Sequence, residues 1–347
     1  MPAQFKGLSL GRLFMLGFRG EELAPEHWLH RALSKQHLGG VLLFDRNVDG
    51  SIQNISSPTQ LKRLTTDLLD AACGKLLIAV DQEGGKVCRL KPQAGFPVQS
   101  GAAELACLGL DKARKEALFC AETLSQNGIN LNFAPVVDLN TNPENPIISH
   151  YGRSYSANPE VVTEHARVFV AAHHQAGVMC CLKHFPGHGS ASGDTHHGFV
   201  DASAQWQAQE LDPYRRLIAE GYDGAIMSSD FVVQKLDKSA LTATLSRPIL
   251  TDLLRQELGF RGVICTDDMQ MGAIRRIWPF KEAVQKAVLA GADLLVIGNN
   301  LQDQPEALDA GIEAIAELVD AGGIRVEKLA ASISRIEALQ GRACAQE

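Results

Sequence analysis

The chain has 347 residues, 45% of them hydrophobic and 21% charged, with a formal net charge of −7. That length suffices for one large α/β domain, and the acidic balance gives no electrostatic basis for nucleic acid or an anionic membrane as a partner. The apolar run at residues 13–18 is too short for a signal-peptide core or a membrane span, so the chain reads as cytoplasmic.

Short apolar runs recur in chain order at residues 13–17, 41–44, 76–80, 131–137, 178–182, 225–227, 263–265 and 294–297. Between them lie stretches of helical length at 58–73, 111–127, 159–176, 202–220, 247–258 and 280–290, and two more follow at 302–321 and 326–340. In the first of these, Leu61, Leu64, Leu68 and Leu69 recur at helical spacing and predict one buried face. Continuously apolar strands alternating with helices predict a parallel sheet covered on both sides. Eight such strands point to a single-domain (β/α)8 TIM-type barrel over residues 1–347, with a doubly wound open sheet as the alternative. The barrel is favoured because nearly every run ends in polar side chains, including Asp45, Asp81, Asp138, Lys183, Asp230, Asp267 and Asn299. Only a barrel brings all those ends to one face. The eight cysteines lack CxxC spacing, and Cys180, Cys181 and Cys265 sit in apolar runs, which predicts buried reduced thiols.

Four stretches carry the chemistry. Asp81-Gln82-Glu83-Gly84-Gly85, with Arg89 beyond it, offers carboxylates and close backbone approach to a polyhydroxylated ligand, or else a tight turn with solvated acids. Arg153 lies in a long Asn- and Pro-rich loop, where its planar fork suits a carboxylate or sugar oxygens, though a structural arginine fits as well. The third, KHFPGHG at 183–189 followed by Asp194-Thr195-His196, gathers imidazoles and a carboxylate after a strand. It admits metal binding, although no zinc-ligand spacing is matched, or acid/base work in which Asp194 orients His196. The fourth, Thr266-Asp267-Asp268-Met269, ends a strand, where a carboxylate is a candidate nucleophile or base. Adjacent side chains on extended backbone point opposite ways, so one of Asp267 and Asp268 should face the reaction centre and the other be structural.

Together, in order and across roughly residues 10–300, these stretches resemble the glycoside hydrolase family 3 β-N-acetylglucosaminidases. The resemblance implies a retaining exo-acting hydrolase that needs no cofactor or metal and works on a small sugar or muropeptide substrate as a monomer. It implies Asp267 as nucleophile, His196 as general acid/base, Asp194 as its partner, and Asp81, Arg89, Arg153, Lys183 and His184 as sugar-binding positions. His188 and His197 are left to structural roles. With the cytoplasmic reading, it points to GlcNAc-1,6-anhydro-MurNAc, with or without its peptide, in peptidoglycan recycling. A β-glucosidase or a β-N-acetylglucosaminide phosphorylase on the same scaffold is the alternative. The sequence departs from the family at 197–200, where a proline is common, and at Met269, where leucine is commoner. With two helical stretches after the eighth run, the expectation is a chain without the α/β sandwich domain that many members carry.

Overall fold

The eight apolar runs become eight parallel strands that close on themselves in a computed structural model describing residues 7–195 and 198–344. The strands are β1 (Phe14–Gly17), β2 (Gly40–Leu43), β3 (Leu77–Val80), β4 (Leu131–Asn132), β5 (Met179–Phe185), β6 (Ala225–Ser228), β7 (Val263–Asp268) and β8 (Leu294–Ile297). Each pairs with its neighbours in sequence, and β8 returns to β1 through Phe14↔Leu295, Met15↔Val296 and Leu16↔Ile297. This closure sets aside the open-sheet alternative. Strands covered by helices outside and packed side chains inside have no wet face, which is why their sequences are apolar without alternation. Ile264 and Leu295 are fully buried in this way. Cutting such a side chain back to alanine costs about 2–5 kcal/mol.

The helices begin where local chemistry satisfies their first amides. In helix Pro58–Ala71, Ser57 Oγ accepts the Gln60 N–H at 3.2 Å and Pro58 occupies the first turn, where no N–H is needed. Its buried face is Leu61, Leu64, Thr65 and Leu68, while Leu69 is only half-buried. Asn158 caps Pro159–Gln175 in the same manner, accepting the Glu160 N–H at 2.8 Å.

Several boundaries differ from the periodicity. The fourth run forms regular strand only at Leu131–Asn132, because Pro135 has no N–H to give, although Val136 still bridges Lys183. β5 and β7 instead run past their apolar residues to include Lys183, His184, Asp267 and Asp268. The functional side chains therefore stand on sheet backbone. The stretch at 202–220 divides into a 3-10 turn, Ala208–Leu211, and a helix, Asp212–Ala219, with Pro213 in its first turn. The one at 247–258 winds as a π-helix over Pro248–Glu257, and the helix expected from 302 starts at Ala307. Cys180, Cys181 and Cys265 are buried free thiols, as the sequence suggested, while Cys73 and Cys107 are exposed. No helix among the described residues is long and apolar enough to cross a membrane.

Candidate active site

A cavity of about 420 Å³ opens at the C-terminal ends of the strands. Its floor is barrel interior, Leu42, Phe133, Met227 and Val296. Asp81, Arg89, Arg153, Lys183, His184, Asp194 and Asp267 all line it, although they come from positions as far apart as 81 and 267. Closure of the barrel is what brings them together. His196 and His197 lie outside the described residues.

Lys183 is the hub. Its side chain is 3% exposed, and its Nζ stands 2.7 Å from Asp81 Oδ1 and 2.7 Å from Glu83 Oε1. Glu83 also receives a two-pronged bond from Arg153, Nε to Oε2 and Nη2 to Oε1, both at 2.8 Å. Burial alone would raise the Asp81 and Glu83 carboxyls. Lys183 and Arg89 beside Asp81, and Arg153 and Lys183 beside Glu83, reverse this and hold both below the usual carboxylate range. Burial likewise pulls the Lys183 ammonium down, and the two carboxylates more than restore it.

Asp81 and Glu83 share this partner because strand alternation sends Gln82, between them, the other way. Gln82 Nε2 donates to Gln99 Oε1 at 2.6 Å, and Gln82 Oε1 accepts the backbone N–H groups of Arg89 and Leu90 at 2.9 Å each. That fixes the hairpin of Gln82–Gly84 and Val87–Cys88, and with it Arg89. The Arg89 guanidinium lies 3.5 Å from Asp81 Oδ2, 3.8 Å from Asp45 Oδ1 and 5.3 Å from the centre of the Phe44 ring.

His184 is joined to Lys183 by a cis peptide and also reaches the cavity. Its Nδ1 is 2.7 Å from Asp138 Oδ2, and its Nε2 is 3.3 Å from Arg153 Nη2. A guanidinium can only donate, so the arrangement is satisfied when Nδ1 carries the proton and Nε2 accepts. Asp138, fully buried, also accepts the backbone N–H groups of His184 and His188. Burial would raise its carboxyl, but His184 and the other bonds lower it.

At the end of β7, Asp267 is half-buried, with its Oδ1 accepting the Asp268 N–H at 2.9 Å. Asp268 Oδ1 accepts the N–H groups of Gln270 and Gly298, each at 3.0 Å. Both carboxylates line the cavity, where alternation predicted that only one would face it; Asp268 in addition accepts from Gly298, just past β8, and so ties β7 to it. Asp194 lines the cavity from the loop after β5, beside Thr195, whose carbonyl accepts the Ala273 N–H at 3.2 Å. His188 also lines the cavity. Its ring packs on Phe231, with centroids 4.8 Å apart, and burial lowers its pKa to about 4. Among the described residues no group of three or more His, Cys, Asp and Glu side chains is placed to hold a metal ion.

Sequence reasoning missed the partners. Glu83 was visible only as one of two acids in a motif, and its period-2 relation to Asp81 is the signal that would have singled it out. In the sequence Asp138 reads only as a strand end with no role of its own. Nothing in the sequence marked the fully buried Glu210, which accepts bonds from Gly189 and Ser190.

The profile of the glycosyl hydrolase family 3 N-terminal domain matches residues 8–339. A β-hexosaminidase of Tolumonas auensis is 35% identical over 308 residues, covering 85% of each chain. β-Hexosaminidase A of Pseudoalteromonas piscicida is 33% identical over 370 residues, spanning 95% of this chain and 60% of its own length. Among solved structures, a family 3 β-N-acetylglucosaminidase from a Paenibacillus species superposes with a TM-score of 0.87 at 32% identity, covering 100% of this chain and 64% of that one. A β-N-acetylhexosaminidase from Beutenbergia cavernae gives 0.85 at 28% identity, covering 96% and 97%. The chain thus spans about three-fifths of the longer relatives and nearly all of the shorter ones.

Proposed function

Because the chain belongs to glycosyl hydrolase family 3, we propose that it is a retaining exo-β-N-acetylglucosaminidase in which Asp267 is the nucleophile and His196 the general acid/base. The observation that carries this reading is the meeting of Asp267 and Asp194 on one cavity with the Asp81–Lys183–Glu83–Arg153 network. That network offers carboxylate acceptors and cationic donors at fixed positions, which is what the hydroxyls of a sugar ring need. Arg89 and His184 add further groups to the same wall. A cavity of about 420 Å³ closed by barrel side chains suits one terminal sugar rather than the interior of a chain, hence exo action.

In the first step Asp267 attacks the anomeric carbon while His196 protonates the departing glycosidic oxygen, giving a glycosyl ester. In the second step His196 takes a proton from water, which attacks the same carbon and frees Asp267, with net retention. Asp194, two residues before His196, orients the imidazole and balances the charge it gains. A histidine serves here because its ordinary pKa is near neutrality, whereas a carboxylic acid would need its own raised strongly. The proposed substrate is GlcNAc-1,6-anhydro-MurNAc, with or without its peptide, cleaved in the cytoplasm during peptidoglycan recycling.

Trapping with a 2-acetamido-2-deoxy-5-fluoro glycosyl fluoride, followed by peptide mapping, tests sugar, mechanism and nucleophile together. The expected result is a label on Asp267 and none in Asp267→Asn, which should lose nearly all turnover. A label elsewhere, or retained turnover in that variant, would refute the assignment.

A further inference from the structure

The loop after β5 has a buried root. Gly187 lies so close to Glu210 that a Cβ there would stand 2.5 Å from Glu210 Cβ, and a Cβ on Gly189 would stand 1.6 Å from the Leu139 carbonyl oxygen. Neither position has room for a side chain. Asn145 Nδ2 donates to the His188 carbonyl at 2.8 Å, and Trp206 Nε1 donates to the Pro186 carbonyl at 3.2 Å. Glu210, in the turn Ala208–Leu211 between β5 and β6, completes this seat. Its Oε2 accepts the Gly189 N–H at 3.0 Å and its Oε1 bonds the Ser190 hydroxyl. It is fully buried, and among the described residues its side-chain bonds go to Gly189 and Ser190, neither of which lines the cavity.

We propose that Glu210 is a positioning residue for the acid/base step, fixing through Gly189 and Ser190 the root of the loop that carries Asp194 and His196. Asp194 follows Ser190 by only four positions, so a shift at the root is passed on to it. Burial moves the Glu210 carboxyl up to about 7, and the seat is built to survive either state. The Gly189 N–H can only donate, so it keeps Oε2 as an acceptor. The acid proton then sits on Oε1 and is donated to Ser190 Oγ, since a hydroxyl can accept as well as donate. Glutamine reproduces that neutral arrangement: its carbonyl accepts from Gly189 and its amide donates to Ser190.

The inference rests on His196 as acid/base, so the test includes His196→Ala as a reference. The kcat/KM of Glu210→Ala, Glu210→Gln and Ser190→Ala is measured on aryl β-N-acetylglucosaminides whose phenol leaving groups span a wide range of pKa. A good leaving group departs without protonation; a poor one does not. Glu210→Ala should lose about tenfold or more on the poorest leaving group and little on the best, the pattern of a misplaced acid. Azide, which attacks the glycosyl-enzyme without a base, should raise its kcat. Glu210→Gln should stay within about twofold of wild type throughout. Ser190→Ala removes one bond and should give a shallower dependence of the same sign, with loss confined to the poor leaving groups, which keeps the test decisive if Glu210→Ala does not fold. A uniform loss across the series, no loss at all, or a Gln variant as impaired as Ala would overturn the proposal. If His196→Ala itself shows no dependence on leaving group, the acid/base assignment falls and takes the proposal with it. If His196→Ala shows the dependence and the Glu210 and Ser190 variants do not, only the seat is wrong.

Discussion

Lys183→Met is the most direct probe of the charged wall. Methionine matches the length of the lysine stem but leaves Asp81 and Glu83 without the ammonium that sits 2.7 Å from each. Stranding buried charge by removing one partner costs about 3–5 kcal/mol. Two features put this case at the lower end: Glu83 keeps the two bonds from Arg153, and Asp81 keeps Arg89 at 3.5 Å. A loss near 3 kcal/mol lowers the melting temperature by about 4 °C in a chain of this size. The loss should also depend on pH. In the wild-type protein both carboxyls are held below their ordinary range, so their stabilisation is full above the unfolded pKa and fades as pH falls through the folded values. The gap between wild type and variant is therefore widest at neutral pH and narrows below about pH 4. Calorimetry or urea unfolding at pH 7 and at about pH 3, inside the window where the carboxylate stabilisation fades, reads both quantities. Adding Glu83→Gln should recover at least about 1 kcal/mol relative to the sum of the single effects. A variant that melts with the wild type at pH 7, or a gap that ignores pH, would refute the claim that Lys183, Asp81 and Glu83 act as one unit.

Two further outcomes follow from buried carboxyls. In Asp138→Asn the amide cannot accept on both atoms, so His184 loses its orienting bond or turns a second N–H toward Arg153, 3.3 Å away. At about 1–3 kcal/mol for the broken bond, kcat/KM should fall roughly tenfold to a hundredfold with the fold intact, checked by initial rates and circular dichroism. Asp230 is fully buried with Thr244 Oγ1 donating to its Oδ1 at 2.5 Å, and burial, aided by Asp267 and Asp268, raises its carboxyl well above the usual range. The folded protein must then keep a proton that the unfolded chain releases above about pH 4, so this residue costs stability as pH rises. Asp230→Asn should gain on wild type between pH 5 and 7.5 in urea midpoints, and equal midpoints at both values would contradict the assignment.

Local pattern was enough to find the eight strands, the helix that Ser57 and Pro58 start, and the strand-end and loop candidates Asp81, Lys183, His184, Asp194 and Asp267, while Arg89 and Arg153, which line the same cavity, were pointed to by the family resemblance. The reason is physical: a strand buried on both faces has to be apolar throughout, so the point where it turns polar marks the open face of the barrel. What the sequence by itself could not determine is who partners whom. Lys183 meets Asp81 across 102 positions, Arg153 meets Glu83 across 70, and His184 meets Asp138 across 46. Those distances along the chain are erased when β3, β4 and β5 pair side by side and their ends face one cavity. Glu210 marks the limit most sharply. In sequence it is one more glutamate in a helical stretch; in the structure it is buried against two glycines and holds the loop root by two bonds. Periodicity reports which face of an element is covered, and only the packed barrel decides which atoms stand on the other side.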